Sequence, residues 1–376
     1  MLLKAHELPK VVNGKNVPQP DTDYSKVPSW WITEPDRVRQ HLESLEGVEV
    51  EEIGRTAGGR PIIAAAWGPR EILPERTCNT VAAAFGASDS SAYYGKGQRQ
   101  RQVLMLIGAA HGTEFEGTLA ALNYMNIIVT GKDLLGRPQE AMAQEGRQLR
   151  FILIPFLNVD GRERAINQKH FIGTGLGDNL NYFGLITQGL FRNGDVLHWP
   201  QSKLYQPMTE DRFLYFGSYV NDAGVNLVYD CPLGPDMQPE SAAMIRYCRR
   251  EMPDCVILSH SNGGSLVEPA PAFVPSHFRQ YSAQIAALVG MRCRRAGLAR
   301  HGIAQPRHSI FEGMGFYQSD ALYHACGCLP VLVEFPYGYA KNPDSHEALL
   351  DIGLNVIDEI AAFGNRYGFR PRDPSK

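Results

Sequence analysis

Along this chain, continuous apolar runs alternate with stretches in which apolar residues recur every three or four positions. The runs Val103–Ala110, Cys255–Ser259 and Leu329–Val333 are rich in branched side chains, and each stops at a polar residue: His111, His260 and Glu334. Continuous runs of this kind suit strands buried on both faces, and open α/β sheets bind ligands beyond the carboxyl ends of such strands. The three polar tips are therefore expected to converge. Helical spacing fills the intervals, with Leu119, Leu122, Met125 and Val129 in 115–129 and with Met244, Ile245 and Cys248 in 239–252. A last helix is expected to open at Asp344, with Glu347 three residues on as in a capping box, and to carry Leu350, Leu354 and Ile357. Near the start, Thr33 followed by Pro35 predicts a capped helix with Val38, Leu42 and Leu45 on one face. Two short strands follow, at 48–53 and 61–66, joined by a turn at Thr56-Ala-Gly-Gly.

Strands alternating with helices place the chain in the α/β class. Residues 1–28 are polar and rich in Pro, Asn and Asp, which suggests a surface arm ahead of one catalytic domain over 29–376. Within that domain 179–230 is long, aromatic and rich in Gly and Asn, as expected of an insertion near the site.

With 376 residues, 44% of them apolar and 20% charged, the chain can bury a large core. A net charge of −3 with mixed signs gives no basic face for nucleic acid or an anionic membrane. A small or peptide substrate fits better. Only Leu2 and Leu3 precede Lys4, so no signal peptide is expected, and no run reaches the roughly 18 apolar residues of a membrane helix. Seven scattered cysteines without a CxxC argue against a disulfide framework or a zinc ribbon, so reduced thiols and a cytoplasmic location are expected.

His111-Gly-Thr-Glu114 sets an imidazole at a strand end and a carboxylate near the start of the next helix, so one tight turn can aim both at a point. Catalytic zinc takes three protein ligands and leaves a position for water. His260, whose strand tip is followed by small residues, is the remote third ligand in this reading. One Zn2+ ion is the expected cofactor. His170, His198, His301, His308, His324 and His346 have no partner at ligand spacing and are read as structural or solvated.

Beyond these tips, the sequence resembles the zinc carboxypeptidase family, peptidase family M14. Glu52-Ile-Gly-Arg-Thr-Ala-Gly-Gly-Arg-Pro-Ile is similar to its early "IGxSxxGRPI" stretch, Gly108-Ala-Ala-His-Gly-Thr-Glu to its first metal motif, and Asn158-Val-Asp-Gly to its "NPDG". Pro239-Glu-Ser-Ala-Ala through His260 resembles the "EPE" helix and the strand of the third ligand, and Leu332-Val-Glu334-Phe the strand of the catalytic glutamate. The resemblance implies a three-layer α/β/α single domain with a central mixed, mostly parallel sheet. It also implies a hydrolase that cleaves an amide in a peptide, with Glu334 taking a proton from metal-activated water and passing it to the leaving amine. An arginine that stabilises the oxyanion is implied as well; Arg164 is chosen, with Arg162 and Lys169 as rivals.

The sequence departs from the family at "GVDLNRNF", whose Asn-Arg pair grips the terminal carboxylate. Its two counterparts, Gly177-Asp-Asn-Leu-Asn181-Tyr182-Phe and Gly224-Val-Asn-Leu-Val228-Tyr229-Asp, both put tyrosine where the arginine stands, leaving Asn181 as a substrate contact and Arg192 or Arg212 as replacement cations. Tyr317 stands for the family's mobile tyrosine or packs in the core, and Asp320 is a specificity or structural carboxylate. Two alternatives follow from this departure. One is an N-acyl amino acid deacylase resembling the aspartoacylase and succinylglutamate desuccinylase branch; the other is a metal-containing binding protein without turnover.

Overall fold

The computed structural model describes residues 1–19, 27–72, 99–165, 180–230, 236–261, 267–268, 274–298, 317–337 and 345–370. Of the positions named above, Lys169, His170, 177–179, His301, His308 and Asp344 lie outside them, as do Cys78 and Cys231 of the seven cysteines.

Among the described residues seven strands make one sheet: β1 (Val48–Arg55), β2 (Pro61–Trp67), β3 (Val103–Ile107), β4 (Arg150–Ile154), β5 (Cys255–Ser261), β6 (Val267–Glu268) and β7 (Leu329–Phe335). Their spatial order is β6-β7-β5-β3-β4-β2-β1. The four central strands run parallel, while β6 on one flank and β2 and then β1 on the other pair antiparallel. Every residue of β3, β4 and β5 is buried, as continuous apolar runs require when helices cover both faces.

The helices are α1 (Pro35–Glu43), α2 (Glu116–Thr130), α3 (Glu140–Gly146), α4 (Val159–Arg164), α5 (Leu180–Thr187), α6 (Pro239–Glu251), α7 (Ser276–Arg295), α8 (Gln318–Cys326) and α9 (His346–Tyr367). One layer packs α9 against α2, α3 and α7; the other pairs α6 with α8. Strand alternation sends successive side chains to opposite layers. Met105 of β3 meets Cys248 of α6 with its sulfur 3.6 Å away, whereas Ser259 of β5 faces α2. That face is closely packed, since a Cβ on Gly117 would stand 2.0 Å from Ser259 Oγ and 2.5 Å from the Phe335 ring.

Two helix starts differ from expectation. The cap of α1 is Glu34 rather than Thr33, with Pro35 in the first turn. At α9 the Ser345 side chain caps by accepting the Ala348 N–H at 3.1 Å, which puts Glu347 at the second helical position rather than the third. At α9 that side-chain acceptor fixes the start more sharply than hydrophobic spacing does, whereas Glu34 makes no side-chain cap bond and Pro35, suited to the first helical position, marks the start of α1.

The stretch 180–230 carries α5, a small sheet of Gly189–Phe191 with Phe213–Phe216, and 3-10 turns at Gln201–Leu204 and Leu227–Tyr229. The N-terminal arm lies on it, with Leu8 and Val17 packed against Leu185, Leu190 and Tyr215.

Candidate metal centre

The turn that carries His111 is fastened from below. The Gly108 N–H donates to Ile154 O at 2.8 Å, and the Leu157 N–H donates back to Gly108 O at 2.9 Å, tying the exit of β3 to that of β4. Asn158 then staples the turn, donating from Nδ2 to Ala110 O and Ser218 O, both at 3.3 Å, while Oδ1 caps α4 by accepting the Gly161 N–H. Gly112 has no room for a side chain, because a Cβ would lie 2.1 Å from Gly161 C. Two residues ahead of His111, Ala109 holds φ at +47°, a left-handed conformation that costs an L-residue about 1–2 kcal/mol. Strain of this kind persists only where the surroundings over-determine the backbone.

Three donors meet above that turn. His111 Nδ1 lies 3.0 Å from Glu114 Oε1, and His260 Nδ1 lies 3.0 Å from Glu114 Oε2. One ligand atom from each of His111, Glu114 and His260 falls within 4.8 Å of the others, and all three residues are buried. Burial alone would raise the Glu114 carboxyl, yet the neighbouring imidazoles of His111 and His260 hold it well below the usual carboxylate range. The carboxylate also accepts the Ser261 N–H at 3.2 Å.

Two imidazole nitrogens and a carboxylate oxygen are the donor types of a catalytic zinc site, and the local geometry fits an ion. His111 Nδ1 is buried without an aligned hydrogen bond although a carboxylate oxygen is near, as expected when its lone pair points at a shared centre. Its other nitrogen, Nε2, is 3.2 Å from Asn226 Oδ1, so a proton on Nε2 leaves Nδ1 free to coordinate.

An outer ring of groups escaped the sequence reading. Tyr219 stacks flat on His111 with ring centroids 3.8 Å apart, and its hydroxyl is 2.7 Å from that of Tyr337. Tyr337 in turn donates to Glu114 Oε1 at 3.0 Å. Burial, and after it the Glu114 charge, push both phenols up, so they stay protonated as hydrogen-bond donors. The signals were faint: Tyr337 follows Glu334 by three residues, and Asn226 lies in the Gly224-Val-Asn stretch already compared with the clamp.

The loop bearing Tyr219 and Asn226 is moored to the early glycine-rich turn through Asp160. Its Oδ1 accepts from Thr56 Oγ1 at 2.6 Å and Arg60 Nη1 at 2.7 Å, and its Oδ2 accepts the Gly58 and Asp222 N–H groups at 3.0 Å. A fully buried carboxylate is tolerated only with its lone pairs occupied in this way.

The remaining expected site residues fall in different places. Glu334 is half-buried and directly opposite His260 in the β7–β5 register, so the two side chains leave the same face of the sheet. Arg164 bonds to Asp222 and to the carbonyls of Val220 and Gly217. Its rival Arg162 is buried and donates to Gly112 O at 2.8 Å and Ala165 O at 2.6 Å. Asn181 is exposed and lines a cleft with Lys15, Asp195 and His198. Tyr317 meets Tyr229 edge-on, at 5.6 Å between centroids. Asp320 is fully buried, and its Oδ2 accepts the Tyr317 N–H at 2.9 Å to close the start of α8. Arg192 donates to Glu210 O at 2.6 Å, and the backbone of Arg212 pairs with that of Arg192 on the small sheet beside the arm.

A buried His-Glu-His cluster at the carboxyl ends of a parallel sheet defines a metallohydrolase-like centre, and comparison with known proteins gives the class. The zinc carboxypeptidase profile of peptidase family M14 matches residues 40–271, more than half of the chain. The chain belongs to the zinc carboxypeptidase family. In structure it is similar to a metallo-carboxypeptidase from Burkholderia cenocepacia, at 14% identity and a TM-score of 0.55 over 88% of this chain and 68% of that one. It is also similar to bovine thrombin-activatable fibrinolysis inhibitor in complex with tick carboxypeptidase inhibitor, at 12% identity and a TM-score of 0.54 over 89% of this chain and 98% of that one. A metallo-carboxypeptidase from Pseudomonas aeruginosa aligns at 13% identity and a TM-score of 0.52 over 88% of this chain and 68% of that one. At these identities the likeness is one of fold. No curated protein sequence matches the chain.

Proposed function

We propose that the protein is a zinc-dependent peptidase that hydrolyses an amide bond in a peptide, with His111, Glu114 and His260 holding one zinc ion and Glu334 moving the protons. The observation that carries this reading is the convergence of the three donors within 4.8 Å, with Glu334 in register beside His260. A zinc ion held there supplies Lewis acidity to the scissile carbonyl and eases loss of a proton from water. Glu334 accepts that proton and returns it to the departing amine. Tyr337 fixes one oxygen of Glu114, Asn226 fixes the tautomer of His111, and Arg164 anchors the 217–222 loop that bears Tyr219.

Deacylation of an N-acyl amino acid is the second reading, favoured by Val228 and Tyr229 where the family's carboxylate clamp is expected. Among the described residues no helix is long and apolar enough to cross a membrane. The five described cysteines are free and buried, which suits a reducing compartment such as the cytoplasm.

Metal analysis combined with turnover of N-acyl dipeptides and N-acyl amino acids tests the proposal. Stoichiometric zinc, loss of hydrolysis on chelation and its return with added zinc are expected. Glu334→Gln should keep the metal and lower turnover roughly 100- to 10,000-fold. Equal turnover in the variant and the parent would remove Glu334 from the chemistry, and a zinc-loaded parent that hydrolyses neither class would be a binding protein.

A further inference from the structure

On one flank of β5 the sheet ends before His260 is reached. β3 pairs with β5 only as far as Leu258, whereas β7 pairs with it through Ser261. Residues 259–261, with His260 in the middle, therefore have a strand neighbour on one side alone. A strand inside a parallel sheet is fixed from both sides, and the backbone groups of a half-supported tip need other partners.

Those partners come from the start of α2. The Ser261 N–H donates to Glu114 Oε2 at 3.2 Å, and the Ser261 hydroxyl donates to Glu116 Oε2 at 2.6 Å. One residue is thus gripped twice, through its backbone by one carboxylate and through its side chain by the next but one. Glu114 Oε2 is the same oxygen that lies 3.0 Å from His260 Nδ1. Glu116 and Ser261 are both buried, where a hydrogen bond is stronger than in water and costly to leave unmade.

Two local features bring Glu116 to this point. It is the first residue of α2, where the helix N-terminus favours an acidic side chain. Gly117 beside it leaves no room for a Cβ against Ser259 Oγ and the Phe335 ring, so the first turn of α2 lies directly on the ends of β5 and β7.

We propose that Glu116 is a positioning residue: through Ser261 it fixes the end of β5, and so holds His260 and Glu114 Oε2 in the geometry in which they share an ion. The proposal rests on the ligand assignment above and adds to it a residue that is neither a ligand nor an acid–base group.

Glu116→Ala, Ser261→Ala, the double variant and Glu116→Gln are compared with the parent. Zinc affinity is read by competition with a chelator, and the geometry of the site by the visible spectrum of the cobalt-substituted protein. Each alanine variant should bind zinc roughly 10- to 100-fold more weakly and shift the cobalt bands. The double variant should lose no more than the worse single one, because both remove the same hydrogen bond. Glu116→Gln keeps an oxygen acceptor and should retain most of the affinity. A role confined to packing would lower the melting temperature of the metal-free variants while zinc affinity and cobalt spectrum stay at the parent's values; that result overturns the proposal, as do losses that simply add in the double variant. Should Glu116→Ala fail to fold, Ser261→Ala and Glu116→Gln decide in the same terms. None of these readouts needs turnover. A parent that binds zinc but hydrolyses no peptide ends the hydrolase reading, while the affinity losses still sustain the positioning role. A parent that hydrolyses peptides while Ser261→Ala binds zinc as tightly as the parent overturns the positioning role alone.

Discussion

The ligand turn around His111 and the aromatic wall from Trp199 to Tyr229 are both loop-borne, yet they are held in different ways. The turn is fixed by backbone hydrogen bonds to two neighbouring strands, by Asn158, and by a glycine contact that leaves no room for a Cβ. The wall is held by ring faces and one lysine, Lys203 lying over both Trp199 and Tyr229, with a polar cap at Asn226. Metal ligands tolerate errors of only a few tenths of an ångström, and directional backbone bonds supply that precision. Ring packing is less directional, so a wall made this way can change its side chains without disturbing the turn around His111.

Substitutions can break or sharpen that contrast. The largest effect is expected from His260→Ala, which leaves two protein ligands and should abolish stoichiometric zinc binding and hydrolysis together; metal content after gel filtration reads it, and full retention of zinc would contradict the ligand assignment. Tyr337→Phe removes the donor on Glu114 Oε1 but no ligand, so zinc affinity should fall roughly 10- to 100-fold by competition with a chelator. Wall substitutions such as Lys203→Met should instead leave zinc affinity where it was.

The smallest expected effect is on the strands beneath the site. Cys255 opens β5 and Cys328 precedes β7, and burial pushes the thiols of both well above their ordinary value, as it does for Cys248, while that of Cys293 rises to about 11. A thiol reagent at neutral pH should leave these four unmodified in the native protein and reach them only in denaturant. Rapid native labelling of Cys255 or Cys328, read by peptide mass, would show that the scaffold opens more readily than its packing suggests.

Much of the scaffold was legible because burial on both faces leaves a plain signature. The runs ending at His260 and Glu334 form β5 and β7, the run before His111 forms β3 but stops being strand at Ile107, and the helical spacing at 115–129 and 239–252 marks α2 and α6. Hydrophobic period locates an element's body better than its ends, which is why Thr33 and Asp344 were displaced by Glu34 and Ser345 as caps. Arg164 illustrates a harder limit: an arginine at a plausible distance along the chain bonds to Asp222, which is 58 residues away in sequence. Tyr219, Asn226 and Tyr337 were invisible for the same reason, since a hydrogen bond to a ligand leaves no local pattern.

By itself the sequence determined the α/β order of elements and the three polar tips, with Glu114 beside the first, from which a metallohydrolase could be built, because strand burial and ligand chemistry are written into residue type and spacing. Only the tertiary structure decided which groups surround Glu114 and His111 and which cation faces the wall. Those choices depend on contacts between segments tens to hundreds of residues apart, brought together by the order of strands in the sheet.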